Sequence, residues 1–129
     1  MANPNIVSVA TINGGSLGWN LSASLDSLIT VTAEYILKIN RIVIANVDGT
    51  NGAEVDVAIT FAAGTQTGVT VNTTAATTAY LAKTIEVPAD STLVITDTPI
   101  YLREGDILKA KAEAVTDLDM YITYELLID

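Results

Sequence analysis

The stretch from Ile36 to Ala62, ILKINRIVIANVDGTNGAEVDVAITFA, decides the fold. Its second half alternates: Val55, Val57, Ile59 and Phe61 fall on one face, Glu54, Asp56 and Thr60 on the other. A period of two marks a half-buried strand. The first half is rich in β-branched residues (Ile36, Ile39, Ile42, Val43, Ile44) and apolar on both faces. Such a strand suits the middle of a sheet, or a place where a partner covers its outer face. The polar run DGTNGA between them predicts a loop that folds the two strands into a central hairpin.

Short strands surround this unit. Towards the N-terminus, residues 1–13 open on Asn3-Pro4-Asn5 and continue as IVSVATI, which predicts a first strand or an extended arm closed by Gly14-Gly15. Residues 14–129 form the domain proper. In SLGWNLSASL, Leu17, Trp19 and Leu21 share a face, which makes Trp19, the single tryptophan, a core anchor in preference to a sugar-stacking platform. SLITVTA (27–33) is another short strand.

Beyond Phe61 the run AAGTQTGVTVNTTAATTAYLA is low in complexity and weakly specified in register, which predicts an exposed loop or edge and a candidate contact surface. Strands follow at Leu81–Val87, Leu93–Ile95, Ile100–Leu102 and from Ile107, separated by turns at Pro88–Ser91, Asp97–Pro99 and Arg103–Asp106. Ala, Lys and Glu favour a helix over Asp106–Val115. The alternation of Leu108, Ala110, Ala112 and Ala114 with Lys109, Lys111 and Glu113 instead predicts a strand. LDMYITYELLI alternates as a long terminal strand. About eight to ten short strands at this spacing predict a single-domain, all-β antiparallel sandwich of jelly-roll-like form.

Composition narrows the function classes. A chain of 129 residues is one domain with a proper core. Fifteen acidic against six basic residues give a net charge of −9, which repels phosphate backbones and argues against nucleic acid as a partner. No apolar run approaches the ~20 residues of a membrane-spanning helix. MANPNIVSV lacks the basic start and apolar core of a signal peptide, so synthesis in the cytoplasm without Sec-type export is expected.

The residues that most chemistry needs are missing. Without histidine or cysteine there is no Ser-His-Asp or Cys-His triad, no common zinc site, no disulfide and no redox dithiol. Neither G-x-G-x-x-G nor G-x-x-x-x-G-K-[ST] occurs. Paired carboxylates can hydrolyse glycosides, but the aromatic platforms that accompany them in such clefts are sparse here. No enzyme activity, catalytic residue, metal or cofactor is expected. Asp48-Gly49-Thr50-Asn51-Gly52-Ala53-Glu54-Val55-Asp56 clusters oxygen ligands, yet its spacing is not an EF-hand and its residues are those of any β-connection. It is read as a turn, with a calcium- or carbohydrate-binding adhesion module as the alternative it leaves open. Arg103-Glu104-Gly105-Asp106 is read as a tight turn held by local Asp hydrogen bonds. Lys109 and Lys111 are expected to pair with acids of a neighbouring strand.

Four segments together resemble a family of small structural proteins in the virions of tailed bacteriophages, particularly those of marine and cyanobacterial hosts. They are Leu37-Lys38-Ile39-Asn40, Ala45-Asn46-Val47-Asp48-Gly49-Thr50-Asn51, Ile85–Leu93 (IEVPADSTL) and Ile100–Asp106 (IYLREGD), followed by the tyrosine-bearing terminal strand. The resemblance spans residues 36–127. It implies an all-β, non-enzymatic virion component, a capsid decoration (cement) protein on the outside of the head. The implied partners are the major capsid protein or other virion proteins and further copies of the chain, with a trimer suspected. A neck, tail or fibre-base position is the alternative.

Overall fold

The computed structural model describes residues 11–64, 69 and 75–128. Nine strands run in chain order: β1 (Thr11–Asn20), β2 (Asp26–Thr30), β3 (Tyr35–Asn46), β4 (Ala53–Phe61), β5 (Thr77–Val87), β6 (Thr92–Thr96), β7 (Ile100–Leu102), β8 (Ile107–Ala112) and β9 (Leu118–Ile128). They form two antiparallel sheets, β1-β9-β3-β6 with β7 also on β3, and β2-β8-β4-β5. β6 pairs with Ile42–Ala45 and β7 with Leu37–Ile39, so these two short strands share one edge of β3.

Taken as one interrupted strand, β6 and β7 leave four kinds of pair: β1 with β9, β2 with β8, β3 with β6/β7, and β4 with β5. Those are the pairs of one long antiparallel ribbon doubled back on itself between β4 and β5. Rolling that ribbon brings β3 against β9 and β4 against β8 and yields the jelly-roll order of a double-sheet sandwich. The sequence-based expectation of an all-β sandwich holds, and Asp106–Val115 contributes a strand.

The central hairpin does not form. β3 lies in one sheet and β4 in the other, so residues 47–52 carry the chain across the sandwich. Both strands bury an aliphatic face, and facing each other across the core covers both, whereas pairing edge to edge would leave both faces to find other cover. β3 does occupy the middle of its sheet, between β9 and β6/β7.

Its apolar residues on both faces have a specific cause. The β3–β9 register shifts between Ile39 and Arg41, a bulge centred on Asn40. The inward set therefore changes parity, from Leu37 and Ile39 to Ile42 and Ile44, all four in the core cluster. Ile36 and Val43 face outward and are buried there. The opposing layer supplies Val55, Val57, Leu108, Ala110 and Ala112, and β9 adds Leu118, Met120 and Ile122.

Gly14-Gly15 does not close the first strand. β1 runs straight through both, and Tyr124 of β9 packs over Gly15, where a Cβ would come 2.8 Å from its hydroxyl oxygen. The expected arm overlaps β1 at residues 11–13, and its residues 1–10 lie outside the described residues. Of the Thr/Ala run, residues 65–68 and 70–74 lie outside them too. Val69 makes an isolated bridge, and β5 begins earlier than expected, at Thr77.

The turn between β7 and β8 fastens three parts of the roll. Asp106, 2% exposed, accepts hydrogen bonds from the Arg103 amide (3.0 Å) and the Ala62 amide (2.8 Å). The Arg103 guanidinium donates to the Ala62 carbonyl at 2.9 Å. Gly105, at φ +85, donates to Val31, and Val31 donates back to Asp106. Replacing Asp106 by Ala strands one buried and one half-buried amide donor, so Asp106→Ala is expected to cost about 3 kcal/mol. Urea unfolding should show this as a lower midpoint with an unchanged slope.

Candidate contact surfaces

Among the described residues five polar or charged side chains are buried: Asn46, Asp56, Arg103, Glu104 and Asp106. Every one of them is engaged by the chain's own backbone. Asn46 donates to the carbonyls of Val87 (2.8 Å) and Asn51 (3.0 Å) and accepts from the Asp48 amide. Glu104 accepts from the amide of Glu34, and Asp56 from the amide of Thr84 at 2.7 Å. Glu34 and Thr84 both have positive φ, at 70° and 49°. A left-handed conformation costs a non-glycine residue ~1–2 kcal/mol. A buried carboxylate holding the amide offsets that cost, so these acids serve backbone geometry.

Asp56 departs from the sequence reading, which put it on the solvent side. It does point away from the core, but a bulge in β5 folds over it, and its side chain is 3% exposed. Lys83 lies 3.4 Å and Lys111 4.0 Å from its Oδ2. Lys111 thus pairs with an acid of the neighbouring strand, as expected. Glu113 accepts from the Glu54 amide at 3.1 Å. Lys83 also sits 4.6 Å from the centroid of the Tyr80 ring.

The 48–56 segment does not gather its oxygens into a cage. Asp48 Oδ1 accepts from the Thr50 amide at 2.8 Å, Glu54 lies on the exposed face of β4, and Asp56 is committed to Thr84. Among the described residues no three acidic side chains converge. The Thr50 amide is the main reason that the Asp48 carboxyl titrates below its ordinary value of 3.8. A lowered value means that the loop's preference for charged Asp48 is complete above 3.8 and fades as pH falls through the folded-state value.

Trp19 stands where its spacing put it, inward and packed against the core. It is not an exposed platform. Between the edges of β1 and β2 an apolar cleft of about 360 Å³ opens towards the core, lined chiefly by Leu17, Ile29, Val31, Tyr35, Tyr124 and Leu126. Its polar groups are hydroxyls and backbone. A smaller hollow of about 280 Å³ lies beside Gly18, Asn20, Ala45, Asp119 and Tyr121, where Asn20 donates to Asp119 at 2.7 Å.

The two outer faces differ in chemistry. That of β2-β8-β4-β5 carries Lys83, Lys109, Lys111, Glu54, Glu86 and a Thr60–Thr78 hydroxyl pair. That of the other sheet mixes charged groups, the Lys38–Glu125 pair and Asp119, with exposed aromatic and aliphatic side chains. Val43 is flanked across the ladder by Tyr121 and Val94, and Tyr101 pairs with Lys38. Tyr121 is 45% exposed, Val94 41% and Tyr101 52%. The Thr/Ala run, the contact surface expected from the sequence, lies elsewhere and mostly outside the described residues, whereas the outer face of β3, where a covering partner was the alternative, is this one. Only the strand order shows that Val94, Tyr101 and Tyr121 lie on one surface.

No protein-family model matches the chain, and no curated protein matches it. Among solved structures it is similar to a protein of Bacillus endospore appendages, described as a novel family of disulfide-linked pili. The match is 17% identical, covers 92% of this chain and 88% of that one, and has a TM-score of 0.42. A likeness that distant carries no function across.

Two measurements check these assignments. Asp56→Ala leaves the Thr84 amide without its acceptor and should lower stability by about 2 kcal/mol in denaturant titration, with faster amide exchange around residues 82–85. In an NMR pH titration the Asp48 carboxyl should have its midpoint below 3.8, and Thr50→Pro, which removes the donating amide, should move it upward.

Proposed function

We propose that this chain is a non-enzymatic structural protein of a tailed-phage virion, a decoration protein that sits on the outside of the head and stabilises it. The observation that carries the reading is the set of exposed apolar side chains, Val94, Tyr101 and Tyr121, that the strand order brings onto the outer face of the β1-β9-β3-β6 sheet. Exposed apolar area gathered on one face is what a protein–protein interface uses, and tyrosines are enriched in such interfaces. The buried acids support the same reading from the other side, since each is occupied by backbone amides and is not poised for proton transfer. The segments that resemble the virion family fall on β3, on the loops and turns at 45–51, 88–91 and 103–106, and on β9. These build the sandwich frame.

Counting copies of the chain in purified particles by quantitative mass spectrometry tests this directly. Head decoration requires a fixed, large ratio to the major capsid protein. A few copies per particle would move the chain to the neck or tail, and absence from particles would overturn the virion reading. Tyr101→Asp/Tyr121→Asp should fold normally, because both side chains are about half exposed, and should lose at least tenfold in affinity for heads that lack the protein.

A further inference from the structure

Three of the four sheet edges carry devices that stop another strand from adding. β2 is five residues long, opens on Asp26 and has a register shift at Ser27/Ile29. β5 is bulged around Asp56 and carries Lys83, the left-handed Thr84 and Glu86. β6 and β7 are short and separated by Asp97-Thr98-Pro99. Bulges, charges, prolines and shortness are the usual protections of an edge. β1 has none of them. It pairs with β9 in unbroken register from Thr11↔Ile128 to Asn20↔Asp119, and TINGGSLGWN has neither charge nor proline. Among the described residues no strand pairs with its other side. Apart from Gly15 and Trp19 every residue of β1 is exposed, Ile12 and Leu17 included.

The parity of the ladder says which backbone groups are open. The Leu21 amide donates to the Leu118 carbonyl at 2.9 Å, and these two residues continue the β1–β9 register past Asn20↔Asp119. In an antiparallel ladder such hydrogen-bonded pairs alternate with pairs whose amides and carbonyls turn to the other side. Counting back from Leu21, the residues that face β9 are Trp19, Leu17, Gly15, Asn13 and Thr11. Ile12, Gly14, Ser16, Gly18 and Asn20 therefore present their amides and carbonyls on the open edge.

Charge points to what covers this edge. The chain carries −9 overall, yet no Asp, Glu, Lys or Arg occurs before Asp26. A second copy brings the same net charge, and β1 is the edge at which two copies meet with no charged side chain in either strand. Asp119 and Glu125 stand one strand further in, engaged by Asn20 and Lys38. We propose that two copies pair β1 to β1, antiparallel, about a two-fold axis at Ser16. Open groups must meet open groups, so even-numbered residues pair with even-numbered ones. Ser16 opposite Ser16 is the register that uses every one of them. Ile12 then lies opposite Asn20, Gly14 opposite Gly18, and Leu17 of each copy beside Gly15 of the other. No charges meet in that ladder. The sheet that holds β1 continues through both copies, and the interface is isologous and closes at two. The inference goes beyond the virion reading and stands without it, because it concerns the purified chain alone.

The test uses full-length chains. Sedimentation equilibrium of the unaltered chain should show monomer and dimer and nothing larger. Ser16→Pro removes an amide that β9 does not use, so it should keep the β-sheet circular dichroism spectrum and cooperative melting, and weaken the dimer at least tenfold. Ser16→Cys reads the same register without altering the backbone. In a chain with no other cysteine it should give a covalent dimer on mild oxidation. Residues paired across such a ladder lie about 5.5 Å apart, within the span of a disulfide. Ile12→Cys should stay uncrosslinked, since this register sets the two copies of residue 12 about 26 Å apart along the strand. A chain that is monomeric at every concentration, or multimers beyond the dimer, would overturn the proposal. So would a dimer that Ser16→Pro leaves intact, or cross-linking of Ile12→Cys in place of Ser16→Cys.

Discussion

The packing of two aliphatic layers against each other is what the rest of this molecule depends on. With no cysteine and few aromatics, the chain relies chiefly on aliphatic burial to hold its sheets together. Ile39, Ile42, Ile44, Met120 and Ile122 from one layer and Val55, Val57 and Leu108 from the other are almost fully sequestered. Each such side chain contributes ~1.5–3 kcal/mol relative to exposure. The bulge at Asn40 serves that packing, because without the change of parity Ile42 and Ile44 would point away from the core that Leu37 and Ile39 enter. The ribbon topology follows as well: β3 and β4 are joined by a short loop yet must face each other, so the loop crosses between layers.

Among the described residues, polar side chains are buried where the backbone turns, bulges or leaves a strand. Asp106 organises the turn that ties the β7–β8 connection to Val31 and Ala62, and Asp56 fixes the bulge of β5. Asn46 bridges the start of the crossover to the end of β5. These side chains explain how an acidic chain keeps charged groups inside without cations beside all of them: amide hydrogens take the cations' place.

Much of this was legible in the sequence, and the limits are physical. Alternation in Glu54–Phe61, Ile107–Ala112 and Leu118–Ile128 reads directly as strands because one face of each is buried. Arg103–Asp106 reads as a tight turn held by Asp hydrogen bonds, and it is one, with Gly105 at φ +85. Trp19 reads as packing from its spacing with Leu17 and Leu21. Partnership was not legible. Ile36–Asn46 and Ala53–Phe61 look like a hairpin because sequence proximity favours pairing, and nothing in either strand says that they belong to different sheets. The double glycine at 14–15 reads as a break, whereas the ring of Tyr124, far along the chain, makes glycine suitable inside a strand. Asp56 reads as exposed because its cover comes from a bulge some thirty residues later, at Lys83 and Thr84. The exposed apolar side chains of the outer face are not gathered until β9, β3, β6 and β7 are set side by side.

β3 and β4 follow each other in the chain yet lie in different layers, and the two-layer packing stands or falls with that placement. Backbone proton–proton contacts across the strands, resolved by NMR, test it most directly. β3 should show the close cross-strand contacts of an antiparallel ladder to β9, such as Val43 to Tyr121, and β4 those to β8, such as Val57 to Ala110. Cross-strand backbone contacts between β3 and β4, the pattern of a hairpin, would contradict it.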